Sequence, residues 1–179
     1  MAKAIAMVEL TSIARGIETS DAMVKAARVE LLRASTVCPG KYIVIVGGDT
    51  GAVKASLAAG IETGKEFVVD TLMIPNVHEQ LFPAIQGTVV VENPVAIGAV
   101  EFYSIAAAIK AADAAAKAAQ VQLIEVRTGY AVGGKGYFTL TGDVGAVRAA
   151  VKAAEHEGEL IVGSTVIPRP AKTVLNSLL

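Results

Sequence analysis

The sequence predicts an α+β fold built twice over, each copy an antiparallel sheet with helices on one face. Two observations carry this. Segments of the first half recur in the second at a nearly constant displacement, and each half runs through strand, helix, strand, strand, helix and strand in that order.

The recurrence covers nearly the whole chain. AIAMVE at 4–9 returns as AIGAVE at 96–101, and AARVELL at 26–32 returns as AAQVQLI at 118–124, both displaced by 92 positions. GDTGAV at 48–53 returns as GDVGAV at 142–147, displaced by 94, and the MIP ending at Pro75 returns as the VIP ending at Pro168, displaced by 93. These changes put two additional residues in the second copy between Thr128 and Gly134, opposite the loop that carries Cys38, and remove one near Gly158. Length variation of this kind belongs to surface loops, so both loops are read as lying outside the core.

Each copy opens with an apolar strand, 3–10 or 95–102. Ser12 and Ser104 follow as N-caps, since a serine oxygen there accepts from the free amides of a first helical turn. In the helix behind each cap, Ile13, Ile17, Ser20 and Val24 share one face, as do Ile105, Ile109, Ala112 and Ala116. A β-branched strand comes next, 29–37 and 121–128, then the variable loop, then a strand at 41–47 and 135–141. Asp49 and Asp143, each behind a glycine, read as caps of a second helix of about three turns. A last strand runs to Pro75 or Pro168, with a short terminal helix after it. The order is that of a ferredoxin-like split βαβ sandwich. The expected domains are 4–86 and 96–179, with a linker at 87–95 in the stretch QGTVVVENPV, containing one extended piece.

Composition narrows the function classes. A net charge of −1 gives no electrostatic reason to bind nucleic acid or an anionic membrane surface. One cysteine in 179 residues cannot form an intrachain disulfide and fits a reducing compartment. The start MAKAIAMVEL lacks the basic segment and long apolar core of a signal peptide, so a cytoplasmic location is expected. Mean hydropathy is high at +0.54, yet every apolar run is interrupted before the roughly 18 residues a membrane span requires. That surplus of Ala and Val predicts thin, closely packed layers and burial between subunits.

Several motifs have ordinary readings. In GYAVGGKG, residues 129–136, Gly129, Gly134 and Lys135 match a phosphate-binding G-x-x-x-x-G-K, but Gly136 stands where Ser or Thr should reach the metal, and Lys135 leads into a strand rather than a helix. His78 and His156 lack a partner at helical metal-site spacing. Glu9 with Glu101, and Asp21 with Asp113, are equivalent by the repeat and read as packing or capping groups. No Ser-His-Asp or Cys-His arrangement follows from residue order. An enzyme with a nucleophilic Cys38, activated by a distant histidine, stays open as the alternative class. Cys38 itself sits in STVCPGKY, beside Pro39-Gly40, two residues that favour a surface turn, so an exposed thiol is expected.

The repeated DAMVKAA (21–27) and DAAAKAA (113–119), the GDVGAV helix start and the VIPRP at 166–170 together resemble bacterial microcompartment shell proteins over the whole chain. Two copies per chain resemble the tandem-domain type, and VCPGKY is similar to the first pore loop of such proteins from propanediol-utilisation compartments. The resemblance implies two shell domains and a structural role, not an enzyme. Three chains would form a pseudohexagonal homotrimer that packs edge to edge with neighbouring shell proteins, in the shell of a cytoplasmic microcompartment enclosing redox enzymes. It places Lys25 and Lys117 at tile edges, on the first helix of each copy, with Arg169 as an edge arginine and Asn76, in IPNVH, as its departing counterpart. With both lysines on outer helix faces, their loss is expected to cost little stability. Val37, Cys38, Pro39 and Gly40 in one copy, and Tyr130 and Ala131 in the other, would line the central pore. Three symmetry-related Cys38 thiolates would then hold one [4Fe-4S] cluster per trimer, for transfer of electrons or of the cluster across the shell. The competing expectation is an open metabolite pore without a cluster.

Overall fold

The computed structural model describes residues 4–92, 94–157 and 160–178. The chain divides into two compact units, one formed by the residues up to Phe82 with Tyr130–Gly134, the other by Pro83–Gly129 and the residues from Lys135 onward. In the first unit β1 (Ala4–Leu10), α1 (Ile13–Ala26), β2 (Glu30–Val37), β3 (Lys41–Gly48), α2 (Thr50–Gly64) and β4 (Val68–Pro75) follow one another, with a 3-10 turn at Lys65–Phe67. Helix α3 (Leu81–Gln86) comes next. The second unit repeats the order as β5 (Ala96–Phe102), α4 (Ile105–Ala118), β6 (Val121–Thr128), β7 (Gly136–Gly142), α5 (Val144–Glu157) and β8 (Ile161–Ile167), and closes with α6 (Lys172–Leu178). Each unit holds one four-stranded antiparallel sheet, ordered β2-β3-β1-β4 and β6-β7-β5-β8. The bulges repeat as well, at Glu9/Leu10 and Glu101/Phe102, and at Leu31/Arg33 and Leu123/Glu125.

Both first helices start where expected. Ser12 Oγ accepts from the Arg15 amide and Ser104 Oγ from the Ala107 amide, each at 3.2 Å. The second helices are longer than the three turns expected, with 15 and 14 residues. Asp49 precedes α2, but its side chain makes no capping hydrogen bond. The linker residues 87–92 contain no strand, and the exposed Val90 is tied down through its carbonyl, which accepts from Gln122 Nε2 at 2.9 Å.

In the first unit α1 and α2 pack on each other and on β1 and β3. Val8, Leu10, Met23, Val44, Val46 and Val53 fill the core between these layers. Gly16 permits the close approach of α1 to β3, since a Cβ there would lie 2.5 Å from the Tyr42 side chain. In the second unit Phe102 and Phe138 stack at 6.4 Å between centroids.

Equivalent surfaces of the two units differ in exposure. The apolar face read on both first helices is buried only on α4, where Ile105, Ile109, Ala112 and Ala116 are covered; on α1, Ile13, Ile17 and Val24 are exposed and the helix buries Gly16, Thr19, Ser20 and Met23 instead. The last strands differ in the same way, since β8 is exposed from Ile161 to Thr165 whereas β4 is mostly half-buried with Ile74 covered. Among the described residues, no helix is long and apolar enough to cross a membrane.

Candidate functional site

Cys38 lies at the tip of the β2–β3 hairpin. Val37 pairs with Lys41 across the hairpin, and the Gly40 amide donates to the Val37 carbonyl at 3.0 Å, closing a four-residue turn. The Cys38–Pro39 peptide is cis and Gly40 has φ +89°, a conformation that glycine adopts without a Cβ penalty. Val37 is buried, Pro39 and Gly40 are exposed, and Cys38 is half-buried rather than fully exposed.

The base of this loop is held by an ion pair that residue order did not disclose. Lys41, the first residue after the turn, places Nζ 2.7 Å from Oε1 of Glu9, whose side chain is almost wholly buried on β1. The second unit repeats the device, with Lys135, the first residue after its own loop, paired to Glu101 on β5. Glu9 and Glu101 are therefore loop anchors as well as packing groups. A signal did exist: each lysine directly follows its loop, and both copies keep the pair.

The second loop takes a different path. Gly129, Ala131, Gly133 and Gly134 all have positive φ, and Tyr130 and Ala131 are exposed. Lys135 leads into a strand, so its amides do not open a helix and no phosphate-binding loop forms.

The two edge lysines are not alike. Lys25 pairs with Asp21 at 2.7 Å, and both side chains are mostly exposed. Lys117, itself exposed, pairs with Asp113 at 2.5 Å, but this carboxylate is only 9% exposed, so the two lysine pairs lie in different surroundings. The Asp113 side chain sits among the buried alanines of α4, where bulk water no longer compensates the charge. Asn76 follows β4 with φ +53°, a conformation that asparagine tolerates better than most residues, whereas the exposed Arg169 after β8 does not adopt positive φ. The two turns thus differ in backbone as well as in side chain.

A further polar cluster went unread in the sequence. On the second sheet Glu125 accepts from Arg127 Nε at 2.5 Å and from the Tyr137 hydroxyl at 3.1 Å, at the floor of a cleft of about 540 Å³ that the linker residues 89–91 and Leu178 also line. Burial, reinforced by the Glu125 charge and hydrogen bond and opposed by Arg127, raises the Tyr137 hydroxyl above the usual tyrosine value. His78 is half-buried and accepts from the Gln80 amide through Nδ1, while His156 is exposed in the last turn of α5. Among the described residues of one chain, no three His, Cys, Asp or Glu side chains gather to hold a metal ion.

The duplicated sheet-and-helix units, each with a hairpin loop braced by a Glu–Lys pair, match the BMC domain model twice, at residues 4–77 and 96–170. The chain belongs to the BMC domain family. It is 46% identical to the bacterial microcompartment shell protein PduT of Citrobacter freundii, over 97% of this chain and 96% of that one. Over 45% of its length it is 42% identical to the carboxysome shell protein CcmK1 of Thermosynechococcus vestitus, covering 75% of that protein. A solved microcompartment protein from Desulfitobacterium hafniense DCB superposes with a TM-score of 0.93 at 45% identity, covering 98% of this chain and 99% of that one. This BMC protein is accordingly a structural component of a microcompartment shell rather than an enzyme, and the nucleophilic reading of Cys38 is set aside.

Proposed function

We propose that this shell protein acts as a pseudohexagonal homotrimeric tile whose three Cys38 loops meet at a central pore and share one [4Fe-4S] cluster, passing electrons or the cluster itself across the shell. The observation that carries the reading is a part-accessible thiol at the tip of a closed, anchored turn. A soft sulfur donor suits iron, and one such donor per chain fits a site shared about a threefold axis, where three thiolates supply most of the usual four ligands. The cluster, when bound, supplies one-electron chemistry; this chain supplies the thiolate, the anchored stem and, through Tyr130 and Ala131, lining without further thiols. Lys25, Lys117 and Arg169 would meet neighbouring shell proteins at the tile edges, and encapsulated redox enzymes would exchange electrons with the site.

The oligomer has separate support. Ile13, Ile17 and Val24 on α1 and most of β8 are exposed, while the repeat equivalents on α4 are buried and β4 is less exposed than β8. A heterologous contact that closes a ring leaves two such unlike surfaces open on each chain, one for each neighbour. The test is anaerobic reconstitution followed by iron analysis, visible absorption and paramagnetic resonance of the reduced protein. Near four irons per trimer is expected for the wild type, with loss of iron and colour but not of the trimer in Cys38→Ser. Wild-type protein that binds no iron would leave an open metabolite pore, and Cys38→Ser protein that keeps its iron would exclude the site.

A further inference from the structure

We infer that Gly134 is a positioning residue for Cys38, so that the second repeat's loop sets how the first repeat's thiol is presented. Residues Tyr130–Gly134 are part of the first compact unit, and Gly134 is where they close on the Cys38 turn. A Cβ on Gly134 would lie 2.6 Å from the Cys38 carbonyl oxygen and 3.4 Å from Pro39 Cδ. The first of these contacts is with backbone, which cannot swing aside as a long side chain can. Gly134 also has φ +80°, so its missing side chain serves both the path of the loop and the approach.

Its neighbour isolates the two effects. Gly133 has φ +64° and thus a similar conformational demand, yet a Cβ there meets nothing within 4 Å. Neither loop retreats freely, because each runs directly into an anchored lysine, Lys41 on Glu9 and Lys135 on Glu101. The copies have therefore divided the work: one keeps the cysteine and the other, lengthened by two residues, gives up side-chain bulk to support it.

The inference concerns the thiol itself and holds with or without a cluster, so it is read on reduced, metal-free protein; iron binding by the wild type neither confirms nor overturns it. The measurement is the rate at which Cys38 reacts with an aromatic disulfide reagent, with assembly followed by light scattering. Gly134→Ala should react at least about fivefold faster than wild type as the clash with the Cys38 carbonyl pushes the turn, and its half-buried thiol, out of place, while Gly133→Ala stays within about twofold. Equal rates in wild type and Gly134→Ala, or equal acceleration in both glycine variants, overturns the inference. If Gly134→Ala does not assemble, Lys135→Met decides, because it releases the same loop without a clash: acceleration of at least about threefold supports the inference and a wild-type rate overturns it.

Discussion

Lys41 Nζ lies 2.7 Å from Glu9 Oε1, and the two partners are unequally buried, with 34% of the lysine side chain exposed against 5% of the glutamate. Removing the lysine leaves a nearly buried carboxylate alone, whereas neutralising the glutamate leaves an ammonium that can turn to water. Lys41→Met should therefore cost about 2 kcal/mol, and Glu9→Gln about half of that. In the second unit both partners are more than one-third exposed, and Lys135→Met should cost less than about 1 kcal/mol. Urea unfolding of the three variants checks the ranking.

The edge lysines separate by the same reasoning. Lys25→Ala removes a solvated pair and should change stability by less than about 0.5 kcal/mol. Lys117→Ala removes the cation from the nearly buried Asp113 carboxylate and should cost about 1–2 kcal/mol. Both should weaken lateral assembly of trimers into sheets, read by electron microscopy. Wild-type sheets from the double variant would refute the edge assignment.

Ile17 and Ile109 are equivalent by the repeat but opposite in surroundings, 58% and 0% exposed. Ile17→Asp should fold and fail to form the proposed trimer, whereas Ile109→Asp should lose more than about 4 kcal/mol and fail to fold. Circular dichroism with light scattering distinguishes the two outcomes. A trimeric Ile17→Asp variant would remove α1 from the subunit contact.

Tyr137 titrates above the ordinary tyrosine range. Below the unfolded tyrosine value, near pH 10, the hydroxyl is protonated in both folded and unfolded chains and adds no pH dependence. Above it the unfolded chain loses the proton first, so stability falls as pH rises toward the folded value. Tyr137→Phe should flatten that part of the stability curve, as measured by urea unfolding across the alkaline range.

Duplication made the fold readable, because each copy tests the boundaries of the other. Residues 121–128 were expected as a strand and form β6, and Ser12 and Ser104 cap as their positions imply. What stayed hidden depends on tertiary surroundings that local pattern does not encode. DAMVKAA and DAAAKAA look alike, yet Asp21 is solvated and Asp113 is buried. Glu9 meets Lys41 from 32 positions away, and Gly134 meets Cys38 from still farther along the chain. The turn around Cys38 was legible from its proline and glycine; the support beneath it was not.

The exposure of β8 has a consequence for the chain before it finds its neighbours. Ile161–Ile167 reads IVGSTVI, with no charge and no proline, paired to β5 on one side and last in its sheet on the other. Such an edge lacks the usual gatekeepers against strand addition and is a template for aggregation. Left uncovered, this edge is the part of the chain most open to unwanted strand pairing. Variants that block the proposed ring closure should accumulate as insoluble material even when each unit folds correctly.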